Sequence, residues 1–204
     1  MSLRNTHERW GWLAKLFHWV MAILIIALAL VGTYMANFLD DMVAQFELTQ
    51  IHKSFGFVVF AMAVLRVLWR WANPVSPRPP GDRPLWERWA VHGSHGAMYV
   101  LMFAIPVSGW LMASASILND ADAYPARIPN MVFGLFELPD PFRQGSDALT
   151  DTFHVIHAWS VYLLAALLLV HIGAALRHHF VDRDDVLRRM LPGRSKSQSD
   201  RRSG

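Results

Sequence analysis

Four stretches of the 204-residue chain are almost continuously apolar, and polar or helix-breaking segments separate them. The first, residues 16–35 (LFHWVMAILIIALALVGTYM), has the length of a helix that crosses a bilayer's hydrocarbon core. It is too long for the apolar region of a secretory signal, and no small-residue cleavage site accompanies it. Residues 51–71 are apolar apart from Lys53, Arg66 and Arg70. Residues 95–115 form a third run, containing Pro106, which a bundle of spans tolerates. Residues 153–176 form the fourth. The pattern predicts an all-α membrane protein, a four-transmembrane-helix bundle over residues 1–192. The Pro-rich loop 73–84 and an acidic stretch, 116–152, connect the later spans. The Ser/Arg/Lys-rich tail 193–204 reads as disordered.

Composition agrees: 53% of residues are apolar and 17% charged, well under the quarter usual for a soluble domain. No cysteine is present. That excludes thiolate-held iron–sulfur clusters, haem attached through C-x-x-C-H, and disulfide chemistry. An electron-handling chain of this kind needs a cofactor held by other side chains.

The basic residues fix an expected orientation. All but Lys53, Arg127 and Arg143 of the 19 lysines and arginines fall in the N-terminal segment, the end of span two with its following loop, or the C-terminal segment. By the positive-inside rule both termini are cytoplasmic. The sequence pI of about 9.6 then reports orientation and not a nucleic-acid partner. The opposite loops hold Asp40, Asp41, Glu47, Asp120, Asp122, Glu137, Asp140, Asp147 and Asp151, an acidic outer face.

Histidines carry the candidate chemistry. His157 and His171 lie fourteen residues apart on span four. At ~100° per residue they share a face, at depths about 21 Å apart. His154, seventeen residues from His171, falls roughly 100° off that face. His18 lies at the inner depth on span one and His52 at the outer depth on span two. Depth alone therefore pairs His18 with His171 and His52 with His157, as two stacked cofactor sites in a bundle core require. Arg66, fourteen residues after His52, shares that residue's face at inner depth. An intramembrane arginine needs a partner, and a haem propionate supplies one. Lys53 is placed to do the same for the outer site. His95 opens span three on the inner side and is a candidate quinone or proton site. Taken singly, each histidine is more simply an interfacial anchor, and Arg66 can snorkel to the surface. His154, His178 and His179 are expected in headgroups or water, and His92 at the interface.

The segments NTHERWGWLAKLFHW (5–19), IHKSFG with Arg66 downstream, GSHGAMYVLMFAIPVSGWL (93–111), VFGLFELPD (132–140), IHAWS with His171, and RHHFVDRDDVLRRMLP (177–192) resemble the bacterial cytochrome b561 family over nearly the whole chain. The resemblance implies a four-helix membrane cytochrome with two b haems. It implies axial ligands to haem iron at His18 and His171, and at His52 and His157. It also implies a quinone partner and, as one member shows, superoxide as a donor. Two imidazoles per iron leave no open position for O₂, which favours outer-sphere electron transfer. The expected role is transfer between a periplasmic donor, superoxide or a redox protein, and the quinone pool of the inner membrane. Two other roles compete: a haem and quinone anchor subunit of a larger oxidoreductase such as a hydrogenase or formate dehydrogenase, and a histidine-based metal or proton transporter. A transporter predicts internal repeats and broken mid-span helices, and the sequence has no convincing repeat. Homo-oligomerisation is left open.

Overall fold

A computed structural model describes residues 2–77, 84–120, 122 and 127–192. Among these residues there are four long helices, α1 (Trp12–Asn37), α2 (Met42–Ala72), α3 (Leu85–Ala115) and α4 (Asp147–Phe180), followed by the short α5 (Val186–Met190). All four are long and apolar enough to cross a membrane. The expected disordered tail, 193–204, and Arg78 and Arg83 of the Pro-rich loop lie outside the described residues.

Each helix outruns its apolar stretch. α2 begins nine residues before residue 51 because Asp41 caps it, its Oδ1 accepting from the amides of Val43 and Ala44 at 2.9 Å. α3 begins ten residues before His95, with Pro84 at its N-cap. His95 therefore lies well inside α3 rather than opening it. The polar ends of these helices sit beyond the apolar stretches, where hydropathy gives no signal but capping and intrinsic propensity extend the helix.

Both described termini and the α2–α3 connection lie at one end of the bundle, here the termini end. There Asn5 Nδ2 donates to the Val75 carbonyl at 3.0 Å and Trp19 Nε1 to the Met190 carbonyl at 2.7 Å. Lys15 Nζ donates to the Leu191 carbonyl at 2.9 Å, so α5 is strapped across the end of α1. His178 is not solvated as expected: it is 14% exposed, with Nδ1 2.9 Å from an Asp182 oxygen and 3.0 Å from an Asp184 oxygen, and Nε2 3.7 Å from Glu87. It ties α4 to α3 and to the turn before α5.

The other end, the loop end, carries the α1–α2 turn and the α3–α4 connection. Residues Met131–Val132 and Phe136–Glu137 pair there as an antiparallel hairpin, β1 and β2, which the hydropathy pattern did not disclose. Buried Ser54, Ser114, Asn119 and Asn130 seat this connection on α2 and α3.

Candidate haem sites

The core of the bundle is apolar at its waist. Met21, Val59, Ala63 and Met102 form its buried centre, with Ile25 and Phe103 packed on it. Leu164 is the buried residue of α4. These positions fall into a register. On α4 the order is His157, Leu164, His171; on α2 it is His52, Val59, Arg66. α1 gives His18, Ile25, Gly32, and α3 gives His95, Met102, Gly109. Seven residues are close to two helical turns, so each triplet stays on one face. Every helix thus contributes one residue to the termini end, one to the waist and one to the loop end.

At the termini end, the His18 and His171 ring centroids are 6.2 Å apart. At the loop end, those of His52 and His157 are 6.4 Å apart. The two pairs that depth alone selected are the pairs that meet. A metal ion between two imidazoles needs two metal–nitrogen bonds of roughly 2 Å plus the distance from each nitrogen to its ring centre, about 6 Å in all. Both gaps fit a bis-imidazole iron.

Further observations fit the same group. His157 Nδ1 donates to the Ile105 carbonyl at 2.9 Å, which holds the proton on Nδ1 and leaves Nε2 a bare lone pair. A ring oriented in this way by its second nitrogen is the usual state of a metal-ligating histidine. Among the described residues, His52 Nδ1 is buried without a hydrogen-bond partner. The backbone is pared away beside both loop-end rings. A Cβ on Gly32 would stand 3.2 Å from His52 Cε1, and one on Gly109 would stand 3.1 Å from His157 Cε1. Gly32 escaped the sequence reading; its distance of fourteen residues from His18 was the available signal.

Arg66 reaches the termini end, as expected. Its Nε donates to the Tyr99 hydroxyl at 3.1 Å, and its guanidinium lies 5.5 Å from the Tyr99 ring centre; that of Arg70 lies at 5.8 Å. Tyr99 was not anticipated, although it sits one helical turn beyond His95. His95 itself lies 5.3 Å from His171, ring centre to ring centre. That is too close for an iron between them. Its Nδ1 donates to the Val91 carbonyl at 2.7 Å, which leaves Nε2 bare. Lys53 has a protein partner: its Nζ donates to Asn130 Oδ1 at 3.2 Å. His154 is exposed on α4, consistent with its off-face angle.

A four-helix membrane bundle with facing imidazole pairs is the architecture of a b-type membrane cytochrome. The sequence profile of the prokaryotic cytochrome b561 family matches residues 9–193, and the chain belongs to that family. It is similar to cytochrome b561 homolog 2 of Escherichia coli K12, with 35% identity over 203 residues covering 98% of each chain. It is 27% identical over 190 residues to a probable superoxide oxidase CybB of Yersinia pestis, covering 91% of this chain and 97% of that one. Cytochrome b561 homolog 1 of E. coli K12 is 26% identical over 147 residues, 71% of this chain and 75% of that one. The family makes the chain a bacterial membrane protein that binds b-type haem.

Proposed function

We propose that this chain is a dihaem cytochrome of the bacterial inner membrane that carries electrons between a donor at the loop end and the quinone pool. The observation that carries this reading is the presence of two imidazole pairs, 6.2 and 6.4 Å across, at opposite ends of one bundle. His18 and His171 hold one haem, and His52 and His157 the other. Bound b-type haem supplies a reversible one-electron iron couple at each site. Each haem would be held between two imidazoles, and the chemistry it would supply there is outer-sphere electron transfer and not oxygenation.

The residues around each pair have separate tasks. Gly32 and Gly109 leave room beside the loop-end rings. Arg66, held by Tyr99, offers its guanidinium to a propionate at the termini end. Lys53 places a positive charge at the loop end, where Asn130 restrains it and a second propionate can meet it. The weight of lysine and arginine at the termini end supports a cytoplasmic location for both termini, with the loop end facing the periplasm.

Superoxide or a periplasmic redox protein is the donor in this reading. The similarity to a probable superoxide oxidase supports the first. Two superoxide ions oxidised to dioxygen give two electrons, and one quinone takes these with two protons to become quinol. His95 is the proton relay we assign to the quinone: its Nε2, bare beside His171, takes up a proton from water at the termini end and passes it to the reduced quinone.

The test is an optical spectrum with a haem count. Two haems are expected per chain. His18→Ala and His171→Ala should each remove the same haem, and His52→Ala and His157→Ala the other. A colourless protein from haem-replete cells, or partners that remove different haems, overturns the assignment. Quinone reduction at an unchanged rate in His95→Ala would return His95 to a structural role.

A further inference from the structure

The hairpin at the loop end presents apolar side chains outward. Phe133, Leu135 and Phe136 are 48%, 80% and 48% exposed. Phe133 holds a left-handed backbone, φ 49°, which an aromatic residue adopts only under constraint. A loop that simply crossed water would have no reason to strain a backbone in order to display phenylalanine.

Its position on α2 supplies one. The Phe133 ring packs edge-on against Phe55 at 5.1 Å, and the Phe136 ring packs against Phe57 at 6.0 Å. Ser54, which lies between these contacts, is about 200° around the helix from His52, so the hairpin leans on the side of α2 turned away from the bundle interior. The apolar run of α2 begins at Ile51, directly after the polar Gln45, Glu47, Thr49 and Gln50. Phe57 is six residues deeper, roughly 9 Å along the helix. The hairpin therefore descends past the level at which the span turns apolar.

Backbone in that layer must have its polar groups satisfied by protein. Several of them have partners here. β1 and β2 pair with Met131 opposite Glu137 and Val132 opposite Phe136. The Leu135 amide donates to the Val132 carbonyl at 2.9 Å, and the Leu138 amide to the Asn130 carbonyl at 2.8 Å. The Phe133 amide, which the two-stranded ladder cannot serve, donates to Ser54 Oγ at 2.9 Å. That hydroxyl is buried in the first turns of the span and donates to the Gln50 carbonyl at 2.8 Å. The charges are confined to the base of the hairpin, where Arg127 pairs with Glu137 and lies 3.6 Å from Asp140. Between hairpin and helix runs an apolar cleft of about 400 Å³, lined by Phe46, Ile51, Met131 and Phe133 among others.

We propose that Met131–Glu137 is a membrane-embedded hairpin, its Phe133–Phe136 tip seated among the acyl chains of the leaflet at the loop end. Its partner is lipid. The depth of burial, about 5–10 Å, is that of interfacial elements which dip into a bilayer without crossing it. The reading depends on the chain spanning a membrane and not on which residues hold haem.

The absence of cysteine makes a direct test available. Leu135→Cys is prepared in the haem-loaded full chain and reconstituted in phosphatidylcholine vesicles. A charged methanethiosulfonate is introduced on both sides by freeze–thaw, and labelling is followed by mass spectrometry. Arg143→Cys, exposed in the same connection, is the aqueous reference, and Leu163→Cys, exposed mid-way along α4, is the lipid reference. A thiol among acyl chains stays protonated and is not reached by the charged reagent. Leu135→Cys should label as slowly as Leu163→Cys, and keep that protection when the protein-to-lipid ratio is lowered tenfold. Labelling at the rate of Arg143→Cys overturns the proposal. So does protection lost on dilution, which would mean that a second copy of the chain covers the hairpin. Phe136→Cys repeats the measurement in case the first variant loses haem.

Discussion

Gly109 of α3 abuts the Cε1–Nδ1 edge of the His157 ring on α4, with these two atoms 3.1 and 3.2 Å from the place a Cβ would occupy. The same relationship joins Gly32 of α1 to His52 of α2. The four residues define the loop-end site from four helices. The absence of two side chains is as much a part of that site as the presence of two imidazoles.

Gly32→Val and Gly109→Val should each disable the loop-end site alone. Three added heavy atoms cannot share the space of a ring held by its neighbours, and overpacking of this kind costs about 1–3 kcal/mol. On the proposed function, the haem content should fall from two per chain towards one, with the His18/His171 signal retained. Equal loss of both haems would show that the two sites are not separable.

Arg66 is partly buried beside the termini-end histidines, and among the described residues no carboxylate pairs with it. Its positive charge favours the oxidation state carrying more electrons. Arg66→Met should lower the midpoint potential of the termini-end haem by the equivalent of roughly 2 kcal/mol. Tyr99→Phe removes only the restraint on Arg66 and should lower it by less. Potentiometric titration of both haems measures this, and the loop-end potential should hardly move.

Asn130 accepts from Lys53 at 3.2 Å and donates to Ser114 Oγ at 3.1 Å. Its main-chain oxygen also receives the Leu138 amide. Asn130→Ala leaves a lysine and a serine hydroxyl without these partners, a cost of about 1–3 kcal/mol. The loop end should loosen while the bundle holds. Limited proteolysis with trypsin should then cut sooner after Arg127, with both haems still bound.

Trp19, next in sequence to His18, donates to the Met190 carbonyl at 2.7 Å and so holds α5 against α1. Trp19→Phe removes that donor at a net cost of ~1 kcal/mol. Amide exchange should accelerate in residues 186–191 and not at the loop end.

Much of this was legible in the chain itself, for a physical reason. A helix repeats its geometry exactly enough that His157 and His171, or His52 and Arg66, can be assigned a face and a depth by counting. The bilayer supplies a fixed frame in which depths on different helices can be compared. Counting also reaches Gly32 and Gly109, but glycine is common in spans and announces nothing on its own. What counting cannot reach are contacts between distant segments. The pairing of Asn130 with Lys53, the hairpin on Ser54 and the cluster around His178 join residues through loops, where no period operates. The helix ends were missed because Asp41 and Pro84 act through the backbone and leave no mark on hydropathy.

The layer of Ile25, Val59, Met102 and Leu164 has an energetic consequence. It separates the two histidine pairs by about 21 Å of an apolar thickness near 30 Å. On the proposed function, each electron moving from one pair to the other works with or against most of the transmembrane voltage. A full crossing by one charge is worth about 2.3 kcal/mol per 100 mV. The turnover of this protein should therefore depend on the membrane potential, and its net rate should respond to an uncoupler.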